Sequence, residues 1–460
     1  MGLFQPRIWC TTITVTAALN LYSPANAGVR EDAINRRMRV QVRSDIQAHG
    51  QTFSGPEVVP PALLKAIERK RLVGLGEGTH GTSEIQTLHG NIILALAKKG
   101  RVLVFLEDQF GSVTPINQFA QGAGEDTDLP KQMNGLYGVH KTQEFEAFFR
   151  AVRAFNATAP TGTNVEIYGV DDIVFAGPAD VTPTLHTFSI ANSLKLDTEI
   201  ATCASYINDP NAHRSEARAA FVGAAARIQV AISRVEPSVA GQVEAAVMAN
   251  DLVRFIQQEE ASSGVFSGVV VNEAKDGPSN TIINGARDAG MAENIKTLMD
   301  GKIPTVGTGV YWGHNAHVGR LSYLDGDPSG FPSTWGNTGS ILHTWLGDAY
   351  APLATMTGAG TFRAHYMDAN GDVSPFQPVT APAIYPDCLN AIATNVFPFR
   401  PVFFRTTDVS LLGFTRFEFA VAGLYLALHP DHCFIRTVPG MAYAGVISFP
   451  ISTAAHEMKR

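Results

Sequence analysis

Arg71-Leu72-Val73-Gly74-Leu75-Gly76-Glu77-Gly78-Thr79-His80-Gly81-Thr82-Ser83-Glu84 is an apolar run that ends in a glycine-rich turn carrying a carboxylate and an imidazole. The run is continuous rather than alternating, the pattern of a parallel strand covered on both faces. From Thr82 onward the pattern turns helical. Ligands in open α/β sheets bind just beyond the carboxyl ends of the strands. Such a strand delivers Glu77 and His80 to the place where these folds keep their chemistry. Thr79 stands where a dinucleotide fingerprint needs its third glycine, and the Gly-Lys-Ser/Thr of a P-loop is absent. The plainer reading is a tight turn whose His80 caps a helix; the rest of the chain weighs against it.

Three further runs end in the same way. Val102-Leu103-Val104-Phe105-Leu106 ends in Glu107-Asp108, and Val165-Glu166-Ile167-Tyr168-Gly169-Val170 ends in Asp171-Asp172. Thr305 to Trp312 runs into Gly313-His314-Asn315-Ala316-His317. One strand ending in an acid is ordinary, because acids also cap the following helix. Four in succession, two of them with histidine, place Glu77, His80, Glu107, Asp171, His314 and His317 at one edge if the strands are parallel neighbours. Asp171 reads as a cap or brace as readily as a chemical group.

Between these runs the spacing predicts helices over about 83–99 and 142–156, with a polar, Gly-rich connection at 121–128. From about Pro183 to Ser262 strand signals vanish and an Ala-rich helical pattern takes over. Arg287 to Asn294 reads as a helix start, Gly339 to Leu346 as a helix, Ala351 to Thr357 as a strand and Ala442 to Phe449 as the last strand. The expected organisation is a leader at 1–27, an α/β core over 28–182 and 266–460, and a helical insertion at 183–265. The expected fold class is α/β: a three-layer α/β/α core with a mostly parallel sheet and the insertion over the cleft.

Arg7, the apolar or small stretch from Ile8 to Tyr22, and Ala25-Asn26-Ala27 have the form of an export signal cleaved after Ala27. The expected location is therefore periplasmic or secreted. No later segment reaches the roughly 18 consecutive apolar residues of a spanning helix, so no stable membrane insertion is expected after cleavage. A formal net charge of −7 gives no basic footprint for nucleic acid. Cys203, Cys388 and Cys433 would remain after cleavage, an odd number that predicts one disulfide, Cys388 with Cys433, and a reduced Cys203.

No serine has glycine at both i−2 and i+2, so the nucleophile elbow is missing, and no cysteine lies near a histidine motif. Imidazole with carboxylate suits a different chemistry: histidine as general base on water, held in one tautomer by an acid. A metal shell is the rival use of His314 and His317, but H-E-x-x-H is absent and no C-x-x-C occurs. No metal and no cofactor are expected.

Gly76-Glu77-Gly78-Thr79-His80-Gly81-Thr82-Ser83-Glu84 resembles the G-E-[AGS]-[TS]-H-G-x-x-E signature of the erythromycin esterase family. Leu106-Glu107, Tyr168-Gly169-Val170-Asp171, Arg287-Asp288 to Asn294, and Trp312-Gly313-His314-Asn315-Ala316-His317 are similar to its later motifs, in family order. Gly339 to Thr361 resembles a further family stretch. The resemblance implies a three-layer α/β core with helical insertions and hydrolysis of an ester or lactone, macrolides among them, with antibiotic resistance as the consequence. It implies His80 as the water-activating base, Glu77 and Glu107 as its orienters, and His314 and His317 facing the ester. Arg287, Glu84, Asp171 and His89 become candidates on the substrate side; His89 stands where family macrolide esterases place an arginine. The partner implied is a small-molecule ester or lactone. The alternative, from another class, is a periplasmic metal- or haem-binding protein on a related α/β fold.

Overall fold

The computed structural model describes residues 24–171, 181–208, 215–262, 277–304, 306–321, 336–367, 374–382, 388–410, 416–419, 424–426 and 434–458. The expected leader lies outside these residues up to residue 23, and its cleavage point falls in the first turn of helix α1 (Pro24–His49). Cys433 also lies outside them, and with it the expected disulfide. Cys203 is a buried free thiol.

Strand β1 (Gln51–Thr52) and helix α2 (Pro61–Ile67) lead to β2 (Leu72–Glu77) and α3 (Ser83–Ala97). Then come β3 (Val102–Gln109), α4 (Phe110–Ala120), α5 (Leu129–Gln132), α6 (Gln143–Thr158) and β4 (Val165–Asp171). Helices α7 (Val181–Ala191), α8 (Asp197–Asn208), α9 (Ser215–Ser233) and α10 (Gln242–Ser262) precede α11 (Gly277–Lys302). The chain returns to the sheet with β5 (Thr308–His314), followed by α12 (Asn315–Val318), α13 (Thr338–Leu346) and β6 (Tyr350–Met367). Strands β7 (Gln377–Thr380), β8 (Val402–Arg405), β9 (Arg416–Phe419), β10 (Leu424–Leu426), β11 (Phe434–Thr437) and β12 (Gly445–Ser452), with helices α14 (Leu389–Val396) before β8 and α15 (Pro439–Ala442) before β12, complete the order.

The main sheet runs β1-β8-β12-β6-β2-β5-β3-β4. From β12 to β4 all neighbours are parallel, while β8 pairs antiparallel with both β12 and β1. This is the α/β fold with a mixed, mostly parallel sheet that the apolar runs foretell. Alternate residues of each strand enter two separate cores. Leu72, Leu103 and Phe105 pack with helices α7 to α11, and Val73, Leu75, Val104 and Leu106 pack with α3, α4 and α6. Period-2 side-chain alternation in strands buried on both faces produces this arrangement.

Two sequence readings are revised. Arg287 to Asn294 is the middle of α11 rather than a helix start, since α11 begins at Gly277. Strand β6 continues ten residues past Thr357, to Met367.

Candidate active site

Strands β2, β5, β3 and β4 are consecutive in the sheet and parallel. Their carboxyl ends therefore bring Glu77, His314, Glu107 and Asp171 together, with Glu77 directly opposite His314. Two features make the packing possible. A Cβ on Gly313 would sit 2.8 Å from Glu107 Oε2, and one on Gly76 would sit 2.3 Å from Asn315 Oδ1. Glycine is needed at both positions because a side chain on the neighbouring residue occupies the space.

His80 is buried, and its Nδ1 lies 2.8 Å from Glu77 Oε2. Glu77 Oε1 accepts from Trp312 Nε1 at 2.6 Å, so both carboxylate oxygens are engaged. This fixes the imidazole and leaves Nε2 facing Glu107 Oε2 at 3.9 Å. Burial alone would lower the His80 pKa, but the Glu77 bond and the charges of Glu107 and Glu77 outweigh it and raise it.

Glu107 is the centre of the cluster. Its Oε2 accepts from the His314 N–H at 2.7 Å, and its Oε1 accepts from Arg287 Nη2 at 2.8 Å. Burial would raise its pKa, yet the charges of His317, His80 and Arg287 and the His314 N–H hold it far below the usual carboxylate range. Arg287 also forks onto Asp171, Nε to Oδ1 at 2.7 Å and Nη2 to Oδ2 at 2.6 Å. Asp171 is thus a brace for the guanidinium, in the bidentate geometry that fixes arginine best.

The two histidines after β5 differ. His317 Nδ1 contacts Asp288 Oδ1 at 2.8 Å, and its Nε2 lies 3.1 Å from Arg287 Nη1 and 3.4 Å from Glu107 Oε1. Burial would lower its pKa, but Asp288 and Glu107 raise it. His314 caps α12, accepting weakly from Ala316 N at 3.4 Å, and its ring lies 5.2 Å from that of His80. Among the described residues its buried Nε2 has no hydrogen-bond partner. Burial, then the His80 charge, push its pKa down to about 3, so the ring is neutral at physiological pH. Among the described residues no group of three His, Cys, Asp or Glu side chains is arranged to hold a metal ion.

The family model for erythromycin esterase matches residues 96–447. The chain belongs to the erythromycin esterase family. The match covers Glu107, Asp171, Arg287, His314 and His317; the Glu77–His80 turn precedes it. No curated protein matches the chain significantly. Three solved structures share its fold. A Bacillus cereus protein superposes with a TM-score of 0.74 at 18% identity, covering 92% of this chain and 99% of that one. A succinoglycan biosynthesis protein gives 0.73 at 15% identity, with 92% and 99% covered. A mutant of the erythromycin esterase EreC in its open conformation gives 0.64 at 13% identity, with 89% and 100% covered.

The remaining sequence candidates of this esterase-family chain lie apart from the cluster. His89 is fully buried on α3, its Nε2 2.9 Å from Thr355 Oγ1 and its ring against Trp312. Burial pushes its pKa down to about 3. Glu84 Oε2 accepts from the Thr453 N–H at 2.8 Å and ties α3 to the chain end. Sequence reasoning assigned no role to Trp312 or Asp288, although both stand inside motifs it quoted. It also missed a second buried pair, His140 Nδ1 with Asp108 Oδ2 at 2.7 Å, whose imidazole lies 6.3 Å from the His80 ring. Asp108 adjoins a recognised acid, which was its one signal; His140 had none.

Proposed function

We propose that the chain is a carboxylic ester hydrolase in which His80 activates water. The observation that carries this reading is the His80 environment. Glu77 holds Nδ1, and Nε2 faces Glu107 Oε2 at 3.9 Å. That gap exceeds a direct hydrogen bond and suits one water touching both groups. The water gives its proton to Nε2 as its oxygen adds to the ester carbonyl carbon. In the tautomer in which Nδ1 accepts from the Ala316 N–H, the neutral His314 ring carries its proton on Nε2. That N–H donates to the oxygen on which negative charge develops, as a preorganised donor in a dry site. His317 and Arg287 act through Glu107: their bonds keep its carboxylate ionised and in place. Collapse of the intermediate releases an acid and an alcohol.

The substrate is an ester or lactone, and family membership brings macrolactones into that class. Residues 1–27, read as a leader, put the activity outside the cytoplasm. N-terminal analysis of exported protein, expected to begin at Gly28, tests that point.

The deciding experiment is turnover of a panel of simple esters, lactones and macrolides by wild type and by His80→Gln. Loss of a general base costs about 10²–10⁴-fold. A folded His80→Gln with full activity, or a wild type inert towards the whole panel, overturns the reading.

A further inference from the structure

We propose that His140, held by Asp108, is the general acid that protonates the departing alcohol; the inference rests on the hydrolase reading. Asp108 and His140 are both buried to within 1% of completely, and two aromatic rings pack against the imidazole. The His140 ring packs 4.6 Å from Phe145 and is stacked by Tyr137 at 6.5 Å. An ionisable pair in such a place is expensive to desolvate, and apolar residues of similar volume would serve stability as well or better. Its carboxylate is well supplied: Asp108 Oδ2 also accepts from the Tyr137 N–H at 2.9 Å, and Oδ1 from the Gln109 N–H at 2.7 Å.

The pair is coupled mechanically to the His80 turn. The Gln86 amide donates to the carbonyls of His80 at 2.6 Å and Val139 at 3.1 Å, and its Oε1 accepts from Thr142 Oγ1 at 2.7 Å. One side chain thus clamps the two histidine-bearing turns together. Their ring centroids lie 6.3 Å apart in an edge-on arrangement. Two imidazoles at that separation can each reach one of two oxygens bonded to the same carbon, with a hydrogen bond of about 2.8 Å at each. Nδ1 of His140 is committed to Asp108, which leaves Nε2 for substrate.

The proton inventory closes. His80 Nε2 takes a proton from water, and the resulting hydroxide oxygen bonds to the carbonyl carbon. The bond from that carbon to the alkoxy oxygen breaks, its electron pair stays on that oxygen, and His140 Nε2 supplies the proton. Products are the acid and the neutral alcohol. His80, which has gained a proton, and His140, which has lost one, are reset by proton exchange through solvent.

A general acid for the leaving group matters when the alcohol is a poor leaving group and hardly at all when it is a stabilised phenolate. Two esters with one acyl group, a p-nitrophenyl ester and an alkyl ester, are to be compared in wild type, His140→Gln, Asp108→Asn and His80→Gln, with folding checked by thermal melts. His140→Gln is expected to lose about 10²-fold or more in kcat on the alkyl ester and to stay within about threefold of wild type on the aryl ester. Asp108→Asn follows the same direction and decides the case if His140→Gln does not fold. His80→Gln loses both activities. Equal losses on the two esters, or none on the alkyl ester, overturn the assignment of His140 while leaving His80 as the base. A wild type inactive on both overturns the hydrolase reading and this inference with it.

Discussion

The indole N–H of Trp312 donates to Glu77 Oε1 across 2.6 Å, although the two residues are far apart in sequence. The β2–β5 register explains it, with Leu75 opposite Trp312 and Glu77 opposite His314. The indole is itself held by Phe145, stacked at 4.6 Å, and by Phe148 at 5.5 Å. An aromatic core on one face of the sheet thereby fixes the acid that fixes His80.

Trp312→Phe keeps most of the packing and removes that donor. A buried carboxylate oxygen is left unsatisfied, at a cost of about 1–3 kcal/mol. Denaturant unfolding should show a loss of this size. The freed carboxylate should let the His80 ring wander, and small misplacements of a reacting group cost roughly tenfold to a hundredfold. A variant with wild-type kcat would show that Glu77 needs no second anchor.

The acid limb of the kcat profile should have its midpoint above 6.5, because the His80 pKa is raised and only the neutral ring can accept a proton. Burial pulls that pKa down; the Glu77 bond and the Glu107 charge push it up by more. Glu107→Gln removes one of those charges, so the limb should move to lower pH as kcat at the plateau falls. A limb that stays put would mean that another group controls it.

Stability should also fall as pH drops below about 6.5. His89 and His314 are buried neutral with pKa values lowered to about 3. The unfolded chain takes up protons at these positions first, so each withdraws up to about 1.4 kcal/mol per pH unit between 6.5 and 3. His80 and His317 have raised values, so their contribution is fully present below 6.5 and is lost only as pH rises through their folded values. They therefore cannot offset the slope at lower pH. His89→Leu should make the fall in unfolding free energy between pH 6 and pH 5 visibly shallower. An unchanged slope would place the acid sensitivity elsewhere.

The strands were legible because burial on both faces writes an unbroken apolar run, and the acids and histidines stand at their ends. What lay between was less legible. Helix α4 follows β3 directly and contains Pro115, which argues locally against a helix. The buried faces of Phe110, Val113, Ile116 and Phe119 override it. The first turns of α11, from Gly277 to Asn284, carry few apolar residues, so its true start had no pattern to announce it. The Asp108–His140 pair was hidden for another reason. A register shift between Leu106 and Gln109 sends Glu107 towards Arg287 and Asp108 towards a short turn near His140. No periodicity in sequence encodes a meeting of that kind.

Gly313→Ala tests the centre of the cluster without removing any functional group. A Cβ there would lie 2.8 Å from Glu107 Oε2 and 3.1 Å from the Tyr311 hydroxyl. Gly313 is paired with Gly76 near the carboxyl end of β5 and Tyr311 is fully buried, so the carboxylate is what must move. Moving it breaks the 2.7 Å bond from the His314 N–H and widens the 3.9 Å gap to His80 Nε2. The expected result is a kcat lower by about tenfold or more, together with an acid limb displaced to lower pH because the Glu107 charge has receded from His80. Gly100→Ala is the control, since among the described residues its Cβ would meet nothing within 4 Å. A loss of kcat without movement of the limb would mean that Glu107 places the water and leaves the His80 proton affinity to Glu77.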